Sequence, residues 1–174
     1  GVGGDWSKVR AAGEPVSGGG VASGAKRFMD LQDACARVIK SGGKTRRAAT
    51  MQSIGIWHPD MIDIIRDKYA EECKARILIK AGSPSHWESH TIQNLRGQNV
   101  NISVRADDEF WRAYENNGLY NTRGVIGNRV LREEPAKKLL EVIAACTHGC
   151  GDPGLQNHTT INKWNTCKNS GEIW

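Results

Sequence analysis

Asn99-Val100-Asn101-Ile102-Ser103-Val104, followed by Asp107-Asp108-Glu109-Phe110-Trp111, decides how the rest of the chain is read. Apolar and polar residues alternate at period two over the first six positions, which is a strand. Asp107 or Asp108 then supplies an oxygen able to cap a helix running to about Asn116, with Phe110, Trp111 and Tyr114 as its apolar content. A strand that gives way directly to a helix is one half of a βαβ unit. Upstream, Met51 to Ile56 is a short apolar run punctuated by His58-Pro59, read as a buried strand. The following helix starts at Pro59, with Met61, Ile62, Ile64 and Ile65 on its apolar side. Downstream, Tyr120 to Glu134 reads as a hairpin excursion. Pro135 opens another helix whose buried face is Leu139, Leu140, Val142, Ile143 and Cys146, and Leu155 to Ile161 is a last short strand after Gly-Asp-Pro-Gly. Ala75 to Lys80 reads either as helix continuation or as a strand. The order strand, helix, strand, helix, strand predicts an α/β fold with parallel pairing and right-handed crossovers.

The amino-terminal third differs in texture. Residues 1–24 are rich in glycine and carry Glu14-Pro15, which is turn chemistry, so they are read as a strand end and a loop. From Ala25 the spacing of Phe28, Met29, Leu31, Ala34, Cys35, Val38 and Ile39 predicts a helix with that face in the core, stopped by Gly42-Gly43.

The 174 residues fall within the single-domain range, with 24 basic against 19 acidic side chains and a net charge of +5. That mild excess is interleaved with acids, so no nucleic-acid groove is expected. No apolar run is long enough for a membrane helix and no leader sequence opens the chain, so a cytoplasmic protein without membrane contact is expected. Five cysteines, an odd number, disfavour a disulfide framework and fit a reducing compartment. The start at Gly1 suggests a piece of a longer chain.

Only one cluster, Lys40, Lys44, Arg46 and Arg47, breaks the interleaving. Lys44, Arg46 and Arg47 follow Gly42-Gly43, and a glycine pair admits backbone N–H groups close to a ligand while the cations suit phosphate. Ser41 to Thr45 is not a P-loop, because the fingerprint needs glycine where Val38 stands and joins a strand to a following helix. A helix end with solvated cations is the plainer alternative for these residues. Cys146, His148, Cys150, His158 and Cys167 have a poor metal spacing, so no metal site is expected, and Cys146 reads as a small core residue. Asp152 before Pro153 reads as a turn former and His58 before Pro59 as a helix-entry residue. No catalytic constellation is complete.

Taken in order, GVGGDWSKVRAAGEPVSGGGVASGAKRFM, IKSGGKTRRAATM, HPD, NVNISVR with DDEFW, and GDPGLQNHTTINKWNTC resemble the catalytic domain of ribonucleotide reductase large subunits. The nearest likeness is to the adenosylcobalamin-dependent class II enzymes. The resemblance implies part of a ten-stranded α/β barrel made of two parallel half-sheets with crossover helices, and a central fragment of it in residues 1–174. It implies radical chemistry that turns ribonucleoside di- or triphosphates into deoxyribonucleotides for DNA synthesis, with adenosylcobalamin as cofactor. A deoxynucleotide effector, a ribonucleotide substrate and a homodimer are the implied partners. Residues Gly4 to Ser17 match the family's specificity loop 1, and Arg10 matches an arginine of it. Residues Ser41 to Ala48 match loop 2, which tilts Ser41, Gly42, Gly43, Lys44, Thr45, Arg46 and Arg47 toward effector and substrate binding. The family's Asn-x-Cys-x-Glu radical loop is expected just after Trp174 and its first reducing cysteine before Gly1. No catalytic role therefore passes to Cys35, Cys73, Cys146, Cys150 or Cys167, and these residues alone are expected to be inactive. The alternative is a non-catalytic nucleotide-binding or split-subunit protein.

Overall fold

The structure, a computed structural model, describes residues 1–41, 46–86 and 88–174, and only the backbone of Lys40, Ser41, Arg46 and Arg47. Strands β1 (Val2–Asp5), β4 (Thr50–Gly55), β5 (Val100–Ala106) and β8 (Gly154–Asn157) form a four-stranded sheet in that order. Every pairing in it is parallel, with Gly4 opposite Gln52, Gln52 opposite Ile102 and Val104 opposite Leu155. The α/β reading and the parallel pairing are borne out; the described residues form this open sheet.

Parallel strands covered on both faces lose the alternation of a half-exposed strand. In β5 only Asn101 is exposed, and Ser103 and Arg105 are as buried as Ile102 and Val104. Of the polar positions that suggested a solvated face, Asn99 and Ser103 are thus buried and Asn101 alone is exposed. Ile54, Ile56, Val104 and Phe110 are wholly buried, each contributing about 1.5–3 kcal/mol relative to exposure.

Helix α1 (Ala25–Val38) follows β1, and the two-residue strands β2 (Lys40–Ser41) and β3 (Arg46–Arg47) pair antiparallel ahead of β4. Helix α2 (Met61–Lys80) runs through Ala75 to Lys80 without a break. A short helix α3 (His90–Gln93) precedes β5, and α4 (Asp108–Glu115) follows it. Asp107 is the cap: its Oδ1 accepts Phe110 N–H at 2.8 Å. The hairpin is confirmed as β6 (Leu119–Arg123) with β7 (Val130–Pro135), and α5 (Ala136–Cys150) buries Leu139, Ile143 and Cys146 as expected. Gly151, at φ 83°, ends α5 with its N–H on Thr147 O. Among the described residues no helix is long and apolar enough to cross a membrane.

Two expectations need correction. The face that α1 turns to the sheet is Ala25, Met29, Asp33 and Ala36, whereas Phe28, Leu31, Val38 and Ile39 are exposed and Cys35 with them. Small residues let the helix sit close, and Asp33 replaces an apolar anchor by accepting from Gly97 N, Asn99 N and Asn99 Nδ2 at 2.9–3.2 Å. Periodicity shows that a helix has an apolar face; it does not show whether its own core covers that face. The second correction lies at Leu155 to Ile161, where the strand stops at Asn157 and helix α6 (His158–Lys163) begins. Thr159 and Thr160 favour a strand by propensity, but Thr159 Oγ1 accepts Asp108 N–H at 3.1 Å and draws α6 across the end of the sheet.

Candidate functional site

Loop 1 leaves the carboxyl end of β1 and is held from beneath by carboxylates. Asp5 accepts Ser7 N–H at 3.0 Å, Ser7 Oγ at 2.8 Å and Ser53 Oγ at 3.0 Å, while Ser7 Oγ accepts Gly55 N–H at 2.7 Å. Glu14 accepts Ala11 N–H at 2.6 Å and, from the hairpin turn, Ile126 N–H at 3.0 Å. Burial pushes the Glu14 carboxyl up, but N–H groups of Ile126, Ala11 and Val125 and the nearby His58 outweigh it and hold the group below its ordinary value. Asp60 takes Ala12 N–H at 3.0 and 3.1 Å and Ala25 N–H at 3.0 Å. Because Asp60 N–H points at His58 Nδ1, the His58 proton belongs on Nε2, which donates to Val9 O at 2.8 Å. Gly24 lets the chain pass this knot: its φ is 88°, and a Cβ would lie 2.6 Å from Asp60 Oδ2.

Arg10 rises from this scaffold, half-buried, with Nη1 donating to Pro15 O at 3.2 Å. Its guanidinium keeps further donors for a ligand. A groove of about 460 Å³ separates loop 1, at Ala12 to Pro15, from the hairpin turn with Arg129 and Arg132. Arg132 Nη2 pairs with Asp63 across its floor at 3.4 Å.

Loop 2 enters the other end of the sheet. Lys40 pairs with Arg47 and Ser41 with Arg46 through the backbone, and Ala48 N–H donates to Ile39 O at 3.3 Å, a narrow antiparallel neck leading into β4. Gly42, Gly43, Lys44 and Thr45 lie outside the described residues, as do the side chains of Ser41, Arg46 and Arg47. A positive φ expected at Gly42 or Gly43 falls there too. Loops 1 and 2 are joined by the 14-residue α1, about 21 Å at the helical rise. Loop 1 and the β2–β3 neck lie at opposite ends of the sheet.

Sequence reading passed over Glu14, Asp60 and the hairpin turn as parts of this site. Glu14 looked like a turn residue, and Asp60 differs from any other helix-entry acid only in where its carboxylate reaches. The cysteines fall outside it. All five are free thiols, and no group of His, Cys, Asp and Glu among the described residues is arranged to hold a metal ion. Burial pushes the Cys146 thiol up, as suits a core position.

Residues 1–174 match the model of the ribonucleotide reductase barrel domain. A vitamin B12-dependent ribonucleotide reductase of Rhodopirellula baltica is 47% identical over 176 residues, covering 99% of this chain and 17% of that protein. Its counterpart in Streptomyces clavuligerus is 41% identical over 173 residues, with 99% and 18% covered. A vitamin B12-dependent ribonucleoside-diphosphate reductase of Mycobacterium tuberculosis is 34% identical over 174 residues, with 99% and 22% covered. The chain thus spans about a fifth of the length of these curated relatives. With all of residues 1–174 matched, the chain belongs to the ribonucleotide reductase barrel-domain family.

Proposed function

We propose that these residues are the specificity-loop portion of a cytoplasmic, adenosylcobalamin-dependent ribonucleotide reductase that makes deoxyribonucleotides. The supporting observation is the anchoring of loop 1. Its backbone is fixed by Asp5, Glu14 and Asp60 without help from a ligand, so Arg10 stands on a preorganised wall and binding need not pay to order it. Loop 2, with Ser41, Gly42, Gly43, Lys44, Thr45, Arg46 and Arg47, carries the identity of the effector to the choice of substrate base.

Loop 1 leaves the carboxyl end of β1 and the β2–β3 neck enters β4 at its amino end, which supports a reading in which an effector is held between two copies. The exposed apolar stripe of α1, Phe28, Leu31 and Val38, runs between the loops and supports a homodimer through this helix. Two antiparallel copies of α1 would bring loop 1 of one beside loop 2 of the other.

The residues described do not fit the cobalamin itself. The groove beside loop 1, about 460 Å³, is too small for a whole cobalamin, five charged side chains including Asp60 and Arg129 line it beside Ile126 and Leu131, and His58 has both ring nitrogens engaged. Cofactor attachment is therefore assigned to other parts of the whole protein.

Replacing Lys44 or Arg47 by alanine in the whole protein tests the reading. Turnover of each ribonucleotide, with and without each deoxynucleotide, should lose effector-dependent preference by about 1–3 kcal/mol of coupling while basal turnover persists. Equal loss for every substrate with the effector response intact would remove the loop assignment. Deoxynucleotide binding with no turnover of any ribonucleotide would instead identify a non-catalytic binder.

A further inference from the structure

Arg105, near the carboxyl end of β5, is 2% exposed, yet its guanidinium meets no carboxylate within ion-pair distance among the described residues. It donates instead to three neutral acceptors. Nε gives its proton to His158 Nδ1 at 3.0 Å, Nη1 to Gln156 Oε1 at 3.0 Å and Nη2 to Ile173 O at 2.7 Å. A buried cation spent on neutral partners is costly as a stabilising device, since paired hydrophobic residues would do the same work.

What it does specify is the state of His158. Arginine nitrogens only donate, so Nδ1 must present its lone pair and the imidazole proton sits on Nε2. A second proton would place N–H against N–H beside a buried cation. Burial and the Arg105 charge together push the His158 pKa down. Glu172, Asp107 and Asp5 pull it the other way from the carboxyl-terminal segment, the cap of α4 and β1, and are outweighed. Lys8 lies above the neighbouring Trp174 ring, 4.3 Å from its centroid, and adds to the positive side.

The Nε2–H has no acceptor among the described residues. The imidazole ring packs beside two indoles, its centroid 5.3 Å from that of Trp57 and 5.1 Å from that of Trp174. His158 is half-buried and follows directly on the carboxyl end of β8, the end at which parallel α/β sheets hold their ligands.

We propose that His158 is a fixed, neutral hydrogen-bond donor to an oxygen of the bound ribonucleotide, and that Arg105 is the positioning residue that keeps it in that tautomer. The assignment of the ligand rests on the reductase reading above; the assignment of the tautomer does not.

The test uses the whole protein with adenosylcobalamin, a dithiol reductant and one ribonucleotide, following kcat/KM between pH 5.5 and 8.5. In the wild type any acid limb belonging to His158 should lie at lower pH than in Arg105→Met. Arg105→Met should show one near the ordinary imidazole value of ~6.5, with about a tenfold fall per pH unit below it. Arg105→Lys, which keeps a cationic donor, should move the limb back down. The double variant Arg105→Met/His158→Gln should have none, because an amide donor does not titrate. An Arg105→Met profile of wild-type shape, or a limb that survives in the double variant, overturns the proposal. If Arg105→Met fails to fold, the pair at position 158 decides: His158→Leu should raise KM about tenfold more than His158→Gln, and equal effects overturn it. If the wild type reduces no ribonucleotide, the reductase reading fails on its own. The tautomer assignment is then read from indole fluorescence, as wild type minus His158→Gln, in which the imidazolium quenching step should fall at lower pH than the step near ~6.5 in Arg105→Met. A wild-type quenching step near ~6.5 overturns the tautomer assignment.

Discussion

The Asp60 carboxylate caps helix α1 from another element: its Oδ2 accepts the N–H of Ala25, the first helical residue, at 3.0 Å. The same group holds Ala12 of loop 1, so one side chain ties the loop, the helix start and the entry to α2 together. Gly24 cannot supply a capping oxygen, and a negative group at this position also suits the positive end of the helix.

Asp60→Ala should therefore leave two backbone donors without a partner, at a cost of about 1–3 kcal/mol for each that stays buried. Asp60→Asn keeps one acceptor oxygen and should cost less. Amide hydrogen exchange at Ala12 and Ala25 is the measurement. Faster exchange at both sites in Asp60→Ala, with the amides of β5 unaffected, is the expected pattern. Unchanged exchange at Ala25 would show that the helix start is held by something else.

Glu14 makes the loop 1 anchor sensitive to acid. Its carboxyl is held below the ordinary value of about 4.5, so it stabilises the fold fully above that pH, and this contribution is lost as pH falls through the lower, folded value. The hairpin turn should loosen from loop 1 in that acid window and not at neutral pH. Glu14→Gln retains an oxygen for one N–H and does not titrate, so the gap in melting temperature between wild type and variant should shrink below about pH 4.5. A gap that stays constant from pH 6 to 3 contradicts the role given to this carboxylate.

Close packing of α2 on α5 gives a third expectation. A Cβ on Gly149 would lie 2.3 Å from Tyr69 Cε2, whereas nothing lies within 4 Å of one on Gly151. Gly149→Ala must displace the Tyr69 ring or part the helices, and overpacking of this kind costs about 1–3 kcal/mol. Trimming the ring in Gly149→Ala/Tyr69→Leu should recover part of that loss, a non-additivity expected of residues in contact. Thermal denaturation of the two single variants and the pair supplies the cycle. Additive effects would mean that the contact is relieved without cost.

The β5 segment and its Asp107 cap were legible in the sequence because period-two alternation and an N-terminal oxygen are local signals. So were the hairpin and the buried face of α5 at Leu139, Ile143 and Cys146. Loop 1 could be located from its glycines, but its anchors could not: Glu14 meets Ile126 across 112 positions and Asp60 meets Ala12 across 48. Long-range hydrogen bonds leave no periodicity. The Arg105 pair with His158 was hidden for the same reason, and because α6 was read as strand. Asp33 was hidden differently, since its charge argued for solvent while three N–H donors made burial affordable.

The stripe on α1 carries the last expectation. Leu31 is 62% exposed and Val38 is 82% exposed, on the side of the helix away from Ala25, Met29 and Ala36. If two copies meet there, Leu31→Glu and Val38→Glu place like charges in an apolar contact, and the desolvation cost falls on association, not on folding. The whole protein should shift toward monomer in sedimentation at micromolar concentration while its melting temperature changes little. Effector-dependent substrate preference should weaken in parallel, because each effector would lose the loop contributed by the other copy. A variant that stays as associated as the wild type would show that another surface joins the copies. A monomeric variant with its full effector response would show that loops 1 and 2 act within one chain, despite the length of α1 between them.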